Sequence, residues 1–305
     1  MGNAFTPRPG MMVGLDFTQQ YILKLGIIFL GIRLSFEEFV KFGSIAIPLI
    51  IVCIIGVLIL IKLLIKKVPI SSKMSYLIAI GTSVCGATAI VATAPVINAK
   101  KTEVAYAIAN ITLFGVIAML VYPYFTEWYF NESDLKAGLF LGTSIHETSQ
   151  VAAAGLIYDQ QFNSPETLNV ATVTKLIRNT FLVVMIPLFA FLYNRGNIKN
   201  EKYSILSIFP YFVLGFIGMI IIRNLGDKFF LVDNNHYYIW TNLIGYFKIL
   251  ATTFLTMAMA AVGISINLGE LKSMGYKPFI VGLIAAVTVG FISLIYIQTI
   301  SKFFI

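Results

Sequence analysis

The 305-residue sequence is 58% hydrophobic and only 12% charged, whereas about 25% of the residues of a soluble domain are charged. This composition excludes a soluble globular protein and predicts a single integral membrane domain over residues 1–305, because no polar block is long enough to form a second unit. The net charge of +8 comes from basic residues clustered in short loops, not from the contiguous basic stripe of a nucleic-acid-binding protein.

Seven segments of low charge are long enough, or nearly so, to span a bilayer, which requires about 20 residues. The predicted helices cover residues 21–40, 45–65, 103–125, 166–193, 204–223, 243–268 and 278–301. Two further apolar segments, 74–97 and 134–157, are interrupted by glycines and small hydroxyl residues. We therefore expect an all-α polytopic membrane protein with about seven full transmembrane helices plus two interrupted or re-entrant segments, in an inverted-repeat, transporter-like arrangement.

The two interruptions open with the same residues. Residues 81–83 and 142–144 both read Gly-Thr-Ser, 142 − 81 = 61 residues apart. A second similarity relates residues 31–38 to residues 263–270 at an offset of 232. Polar, helix-breaking backbone at membrane depth occurs only where it is buried in protein or lines a cavity, and a pair of such segments is typical of a transporter's binding site. Chance similarity between glycine-rich apolar segments is the open alternative to an inverted repeat.

Lysines and arginines are concentrated in the loops that follow residues 65, 193 and 268, and the positive-inside rule places these loops in the cytoplasm. Lys66, Lys67 and Lys199 are therefore predicted to be cytoplasmic, and Glu132, in an acidic loop, is predicted to be external. The short loops obey this rule if both interrupted segments are hairpins that return to their own side. Helices that cross the bilayer while unwound at the centre are the open alternative.

A half-helix that begins inside the membrane leaves backbone N–H groups unpaired at the positive end of its dipole, and these groups suit an anion. Hydroxyl groups can donate further hydrogen bonds, and glycines let the backbone approach a ligand closely. The predicted substrate-binding residues of the two interruptions are Gly81, Thr82, Ser83, Gly86, Thr88, Gly142, Thr143 and Ser144. The open alternative is that these small residues only permit tight helix packing.

His146 and Glu147 form an ionisable pair within the second interruption. Such a pair in apolar sequence is costly and indicates an ion or proton pathway. Histidine changes its charge close to physiological pH, and either side chain could carry a coupled proton. We therefore predict both as proton-coupling residues. Alternatively, Glu147 only neutralises a nearby cation such as Lys175 or Arg178.

Basic residues inside the predicted helices could receive an anionic substrate. Lys175 and Arg178 lie about 4.5 Å apart along one helix axis and roughly on one face. Arg178 is predicted to bind the substrate, because a guanidinium can form bidentate hydrogen bonds. Lys175 and Arg33 are predicted as supporting charges, with snorkelling to the membrane interface as the alternative for Arg33.

The His146–Glu147 pair also begins an incomplete zinc-protease pattern, His-Glu-x-x-His, in which Gln150 replaces the second histidine. The other histidine of the chain, His236, lies in a predicted polar loop. Without two histidines one turn apart on a helix, this metal site cannot form. We therefore expect neither an enzyme nor a bound metal or cofactor, and a membrane-embedded hydrolase is kept only as the alternative from the enzyme class.

Three motifs resemble those of a known family. Residues 81–95 read GTSVCGATAIVATAP, residues 144–155 read SIHETSQVAAAG, and residues 257–264 read MAMAAVGI. They are similar to motifs of the YeiH-like bacterial inner-membrane proteins, often labelled sulfate exporters, and the resemblance covers essentially the whole chain. It implies a multi-pass protein of the bacterial inner membrane. Members usually carry one or two further hydrophobic helices before the segment that matches residues 20–34, and the domain is expected to lack them.

Together these features predict a secondary-active transporter that moves a small anion, such as sulfate, sulfite or a sulfonate, by alternating access. Proton coupling is a further expectation. The direction of anion transport is left open, and export is one of the two possibilities. A passive anion channel is the alternative, and it would conduct without a coupled proton. The expected partners are the anion, protons, the lipid bilayer and other copies of the chain, but no nucleic acid.

Overall fold

A computed structural model describes residues 9–64, 70–130, 133–182, 184–185, 188, 211–230, 234–265 and 276–304. Within these ranges the secondary structure is helical and contains no strand. The described α-helices are α1 (Pro9–Phe17), α2 (Leu23–Leu30), α3 (Phe36–Leu64), α4 (Ser72–Ser83), α5 (Ala87–Thr93), α6 (Lys101–Phe130), α7 (Asp134–Ser144), α8 (Thr148–Phe162), α9 (Pro165–Thr180), α10 (Phe212–Phe230), α11 (Asn234–Ser265) and α12 (Tyr276–Phe304). A π-helical turn, Thr18–Ile22, joins α1 to α2, and a 3₁₀ turn, Gly31–Arg33, follows α2.

Three of the described helices, α3, α6 and α12, are long and apolar enough to cross a membrane. This finding confirms the predicted all-α membrane protein. The residues on which the predicted loop orientation depends lie outside the described residues: Lys66, Lys67, Glu132 and Lys199.

The break between the first two predicted helices lies earlier than expected. Instead of one helix over 21–40 and another over 45–65, α2 ends at the 3₁₀ turn and α3 runs without interruption from Phe36. The Glu38 N–H donates to Ser35 Oγ at 3.1 Å, and the Ser35 N–H donates to Glu38 Oε2 at 2.8 Å. This capping box starts α3, and it is readable in the sequence as Ser-x-x-Glu.

The first interrupted segment folds as hairpin 1, in which a three-residue turn joins α4 to α5. Gly81 of α4 packs directly against Ile90 of α5, on the opposite side of the turn. Gly86 supplies the turn with a φ of +70°, which L-residues rarely adopt. At the open end of the hairpin, Lys73 Nζ donates to the Asn98 carbonyl at 2.6 Å. The helices α4 and α5 therefore run antiparallel.

The second interrupted segment folds as hairpin 2, formed by α7 and α8. Both helices pack along α9, α7 in the same direction and α8 in the opposite direction. The contacts that establish these directions are Gly138 with Val170, Gly142 with Thr174, Thr148 with Asn179, and Gly155 with Leu168. Because α7 and α8 run oppositely along one helix, they form an antiparallel pair whose turn lies beside the C-terminal half of α9.

Helix α6 places the two hairpins at opposite ends of the bundle. It has 30 residues, which corresponds to about 45 Å. Hairpin 1 opens towards its first turn, where Ser71 Oγ donates to Glu103, and hairpin 2 begins four residues after its end. Near the middle of α6, Ile111 contacts the end of α4, and the Thr112 carbonyl accepts a hydrogen bond from Gln150 of hairpin 2 at 3.2 Å. The two hairpins therefore meet turn to turn halfway along α6.

The helices α2, α10 and α11 form a second group beside the hairpins. Gly26 of α2 lies against Leu255 of α11, and Gly31 lies against Phe216 of α10. These glycines let the three helices approach closely. A small hydrophobic core, separate from that of the hairpins, holds this group together. It consists of Ile32, Met219, Trp240 and Ile244.

Candidate functional site

The candidate site is formed by the two hairpin turns and by α9, which contacts both. Tip 1 comprises residues 82–86, and tip 2 comprises residues 143–147. The helices α4 and α7 end at the tips and leave carbonyl groups unpaired there, whereas α5 and α8 begin at the tips and leave N–H groups unpaired. Each tip therefore combines an electronegative helix end with an electropositive one.

Lys175 of α9 binds main-chain carbonyls of both tips. Its Nζ atom donates to the carbonyls of Val84 at 3.1 Å, Ile145 at 3.0 Å, and His146. The side chain is fully buried. An ammonium group has three donors and no acceptor, so the three carbonyls saturate its hydrogen-bonding capacity. Lys175 therefore holds tip 1 and tip 2 together.

Arg178 lies one helical turn further along α9 and binds the last carbonyls of α4 and α7. Nε donates to the Ser83 carbonyl at 2.8 Å, Nη1 donates to the Thr143 carbonyl, and Nη2 donates to the Thr82 carbonyl. A cation at a helix C-terminus is favourable for the helix dipole. Lys175 and Arg178 both reach the tips from α9, and both side chains are engaged with the backbone. Of the five N–H groups of Arg178, these bonds use three.

Glu147 of tip 2 reaches across to hairpin 1. Its carboxylate accepts a hydrogen bond from the Ala87 N–H at the start of α5. No ion pair joins Glu147 to Lys175 or Arg178, although all three side chains are described. Glu147 is therefore not the direct ion-pair partner of either cation.

Gly86→Ala is expected to destabilise the protein by about 1–3 kcal/mol or more, because alanine is strained at this backbone conformation. The φ of Gly86 is +70°, and a Cβ atom there would overlap the Glu147 carboxylate. Thermal unfolding of the purified protein measures the effect. Gly218→Ala in α10 is the matched control, because a Cβ there meets no atom within 4 Å. Equal losses in the two variants would contradict the role assigned to Gly86.

Three predicted substrate-binding residues do not line the tips. A side chain at Gly81 would collide with Ile111, and one at Gly142 would collide with Thr174, so both glycines serve close helix packing. This result supports the packing alternative for these two positions. Thr88 is exposed on α5, away from the buried tip groups, because the rotation of this short helix turns it outward.

The tips and the adjacent part of α9 contain most of the buried polar side-chain atoms that have no hydrogen-bond partner among the described residues. Nine atoms are of this kind, and six belong to the tips or to the adjacent part of α9. They are Thr82 Oγ1, Ser83 Oγ, Ser144 Oγ, His146 Nδ1, Thr174 Oγ1 and Asn179 Oδ1. An unpaired buried group costs about 1–3 kcal/mol, and native proteins contain few of them. Their concentration beside two buried cations makes the tips the candidate ligand site.

Arg33 lies away from the tips. It pairs with Asp159 of α8 at 3.4 Å, and its Nη2 atom donates to Thr252 Oγ1 of α11 at 3.0 Å. Asp159 is 159 − 147 = 12 residues from Glu147, which places it about 18 Å along α8. The predicted role of Arg33 as a supporting charge at the site is therefore corrected: Arg33 links hairpin 2 to α11.

Two residues of the site were not predicted from the sequence. Ser293 Oγ of α12 shares a hydrogen bond of 2.7 Å with Thr143 Oγ1, and Asn179 Nδ2 donates to Thr148 Oγ1 at 3.0 Å. Isolated small polar residues in apolar helices commonly hydrogen-bond between helices. Ser293 is such a residue, and its place in an apolar helix was the feature of the sequence that could have indicated this contact.

No three His, Cys, Asp or Glu side chains that could hold a metal ion come together in the part of the chain that the structure describes. His236 lies in the first turn of α11 and not in the predicted polar loop.

Comparisons with known proteins identify the family. The family described as Conserved hypothetical protein 698 matches residues 1–282. UPF0324 membrane protein FN0533 of Fusobacterium nucleatum is 35% identical over 286 residues, which cover 92% of this chain and 82% of the relative. The UPF0324 inner membrane protein YeiH of Escherichia coli K12 is 30% identical over 276 residues, which cover 89% and 74%. No solved structure matches significantly. The chain belongs to this UPF0324 family, as its resemblance to YeiH-like proteins predicted, and it is a multi-pass protein of the bacterial inner membrane.

Proposed function

We propose that the protein is a secondary-active transporter of a small anion, that it works by alternating access, and that the two tips form its substrate site. The observation that carries this proposal is the cluster of six unpartnered buried polar atoms around Lys175 and Arg178. An anion with several oxygen atoms could accept hydrogen bonds from the hydroxyl groups of this cluster, those of Thr82, Ser83, Ser144 and Thr174. Sulfate, sulfite and sulfonates are ligands of this kind. We propose neither a catalytic activity nor a cofactor.

The hairpin geometry supports transport in preference to a purely structural role. The hairpins enter from opposite ends of α6 and meet halfway along it, so a ligand at the tips is covered by hairpin 1 on one side and by hairpin 2 on the other. Movement of one hairpin at a time would expose the ligand to one side of the membrane only, which is the requirement for alternating access. We further propose seven full spans, with the two hairpins related as parts of an inverted repeat.

The charge of the site favours an anion over a cation. Lys175 and Arg178 carry two positive charges, and Glu147 is the one carboxylate among the described residues of the tips. A buried charge without a partner is costly, so the site gains stability when a bound anion compensates the excess positive charge. A passive channel would share this positive charge but would conduct the anion without a coupled proton.

The unpartnered hydroxyl groups are expected to contribute to anion binding. In a thermal-shift screen, sulfate, sulfite and methanesulfonate are tested on the wild-type protein, and an anion at about 100 times its dissociation constant should stabilise the protein by about 2.7 kcal/mol. The double substitution Ser83→Ala and Ser144→Ala should abolish most of this stabilisation. Ser44→Ala is the control, because Ser44 is exposed and bonds to the Lys41 carbonyl. If the double variant responds to anions as the wild type does, the site is not at the tips.

We propose that both hairpins are re-entrant, with the open end of hairpin 1 in the cytoplasm and that of hairpin 2 outside. Exposed Lys62, near the end of α3, would then be cytoplasmic, and exposed Glu166, in the first turn of α9, would be external. In intact cells, a membrane-impermeant thiol reagent should label Glu166→Cys but not Lys62→Cys. The native Cys53 and Cys85 are buried and should give little background. Labelling of Lys62→Cys alone would invert the proposed orientation.

A further inference from the structure

The charged groups at the tips can be counted individually. Lys175 donates to three carbonyls and is therefore an ammonium, and Arg178 is always protonated. Glu147 supplies one negative charge when it is ionised. Cys85 is a free thiol and carries no charge at neutral pH. A third buried cation beside Lys175 and Arg178 would be strongly repelled, so His146 is counted as neutral.

The helix ends at the tips do not change this count. Two helices end there, α4 at Ser83 and α7 at Ser144, and two begin there, α5 at Ala87 and α8 at Thr148. Each end carries a partial charge of about half an elementary charge, negative at the C-terminus and positive at the N-terminus. The two negative and two positive ends cancel. The side chains therefore leave the tips with one net positive charge when Glu147 is ionised and with two when it is protonated.

We infer that the tip site binds a monoanion with Glu147 ionised and a dianion with Glu147 protonated, so that each dianion is bound together with one proton. This inference rests on the proposed function and specifies its substrate charge and coupling ratio. In both cases the loaded site is neutral, which avoids the cost of an uncompensated buried charge. The step is the addition of one proton to the Glu147 carboxylate, and it requires no other reactant.

The surroundings of Glu147 make it the group that takes up this proton. Three titratable or charged groups face tip 2 from the elements packed against it: Lys175 and Arg178 of α9, and Cys85 of hairpin 1. The helix α6 presents the Thr112 carbonyl there and no charged group. Both cations are fixed by main-chain carbonyls, whereas the Glu147 carboxylate accepts the Ala87 N–H of hairpin 1 and, in a capping box, the Gln150 N–H of its own hairpin. Protonation of Glu147 therefore changes the charge of the site without releasing the tips from α9.

The unpartnered donors favour an oxyanion as the ligand. Thr82, Ser83, Ser144 and Thr174 each bring a buried hydroxyl group without a partner among the described residues. A tetrahedral oxyanion has several oxygen atoms that accept hydrogen bonds, whereas a halide has one centre. Sulfate and methanesulfonate are a matched pair of probes, because they share a tetrahedral sulfur and differ in charge.

The test measures proton uptake with a pH-stat while calorimetry measures anion binding to the purified wild-type protein. Between about pH 7 and pH 8, each bound sulfate should take up about one proton, and each bound methanesulfonate should take up none. Correspondingly, the sulfate affinity should fall by up to about tenfold per pH unit, whereas the methanesulfonate affinity stays constant. Sulfate that binds without proton uptake would overturn the inference while leaving anion binding intact.

The variant Glu147→Gln tests whether Glu147 is the residue that takes up the proton. This variant should bind sulfate without proton uptake and with an affinity that does not depend on pH, and its binding of an anion shows that it is folded. Glu166→Gln, an exposed position at the start of α9, should behave as the wild type does. Continued proton uptake in Glu147→Gln would overturn the inference. If Glu147→Gln does not fold, the comparison of the two anions on the wild type still decides it. If neither anion binds to the wild type, the proposed function fails and the inference falls with it.

Discussion

Lys175→Met is expected to destabilise the protein by roughly 3 kcal/mol or more, because it leaves three buried carbonyls without a donor and each unsatisfied group costs about 1–3 kcal/mol. These carbonyls belong to Val84, Ile145 and His146, so the substitution also removes a connection between the two hairpins. Thermal unfolding of the purified protein measures the loss of stability, and anion transport should be lost with it.

Lys62→Met is the matched control for this substitution. Lys62 is exposed in the last turn of α3. Its replacement by methionine removes the same charge and makes the same change in side-chain shape. Its effect on stability should be within about 0.5 kcal/mol. If Lys175→Met unfolds at the temperature of the control, Lys175 does not hold the tips together.

Glu147→Gln is expected to abolish the coupling of anion movement to protons while leaving exchange of bound anions intact. Glutamine keeps the shape of the side chain and can still accept the Ala87 N–H through its amide oxygen, but it cannot take up a proton. In proteoliposomes at zero membrane potential, the wild type should accumulate a dianion about tenfold per unit of pH gradient, whereas the variant should only equilibrate it.

Glu166→Gln serves as the control in the same assay, since it removes a carboxylate from an exposed position of α9. It should accumulate the dianion as the wild type does. Undiminished accumulation by Glu147→Gln would place the coupled proton elsewhere, with His146 as the next residue to substitute.

The positions of the two interruptions were predictable from the sequence, but the contacts between them were not. Glycine and hydroxyl residues break apolar helices recognisably, and the predicted segments 74–97 and 134–157 contain the turns of hairpins 1 and 2. The partners of Lys175 and Arg178 are main-chain carbonyls, which every residue possesses, so no residue pattern indicates which carbonyls they bind. The outward position of Thr88 depends on the rotation of α5, which packing decides. By contrast, the start of α3 was readable from its capping box at Ser35.

The role of Arg178 changed most between the sequence and the structure. Its position in an apolar helix, one turn from Lys175, favoured a receptor for an anionic substrate. In the structure it binds the C-terminal carbonyls of α4 and α7, which is a favourable position for a cation for the same electrostatic reason. Both roles use a buried positive charge. Which of them Arg178 takes depends on where the hairpin ends lie, and this arrangement is visible only in the structure. The charge of Arg178 still contributes to the excess positive charge of the site.

Accumulation of a small anion by the wild-type protein in proteoliposomes tests whether the protein is a proton-coupled carrier. With the membrane potential held at zero, an imposed pH gradient should drive labelled sulfate against its own concentration gradient, and a protonophore should abolish this accumulation. Methanesulfonate, which binds without a proton, should only equilibrate. Sulfate, a dianion, should accumulate about tenfold per pH unit, since one proton accompanies each ion. If sulfate equilibrates at the same rate with and without the pH gradient, as through a channel, or does not enter at all, the protein is not a proton-coupled carrier of sulfate.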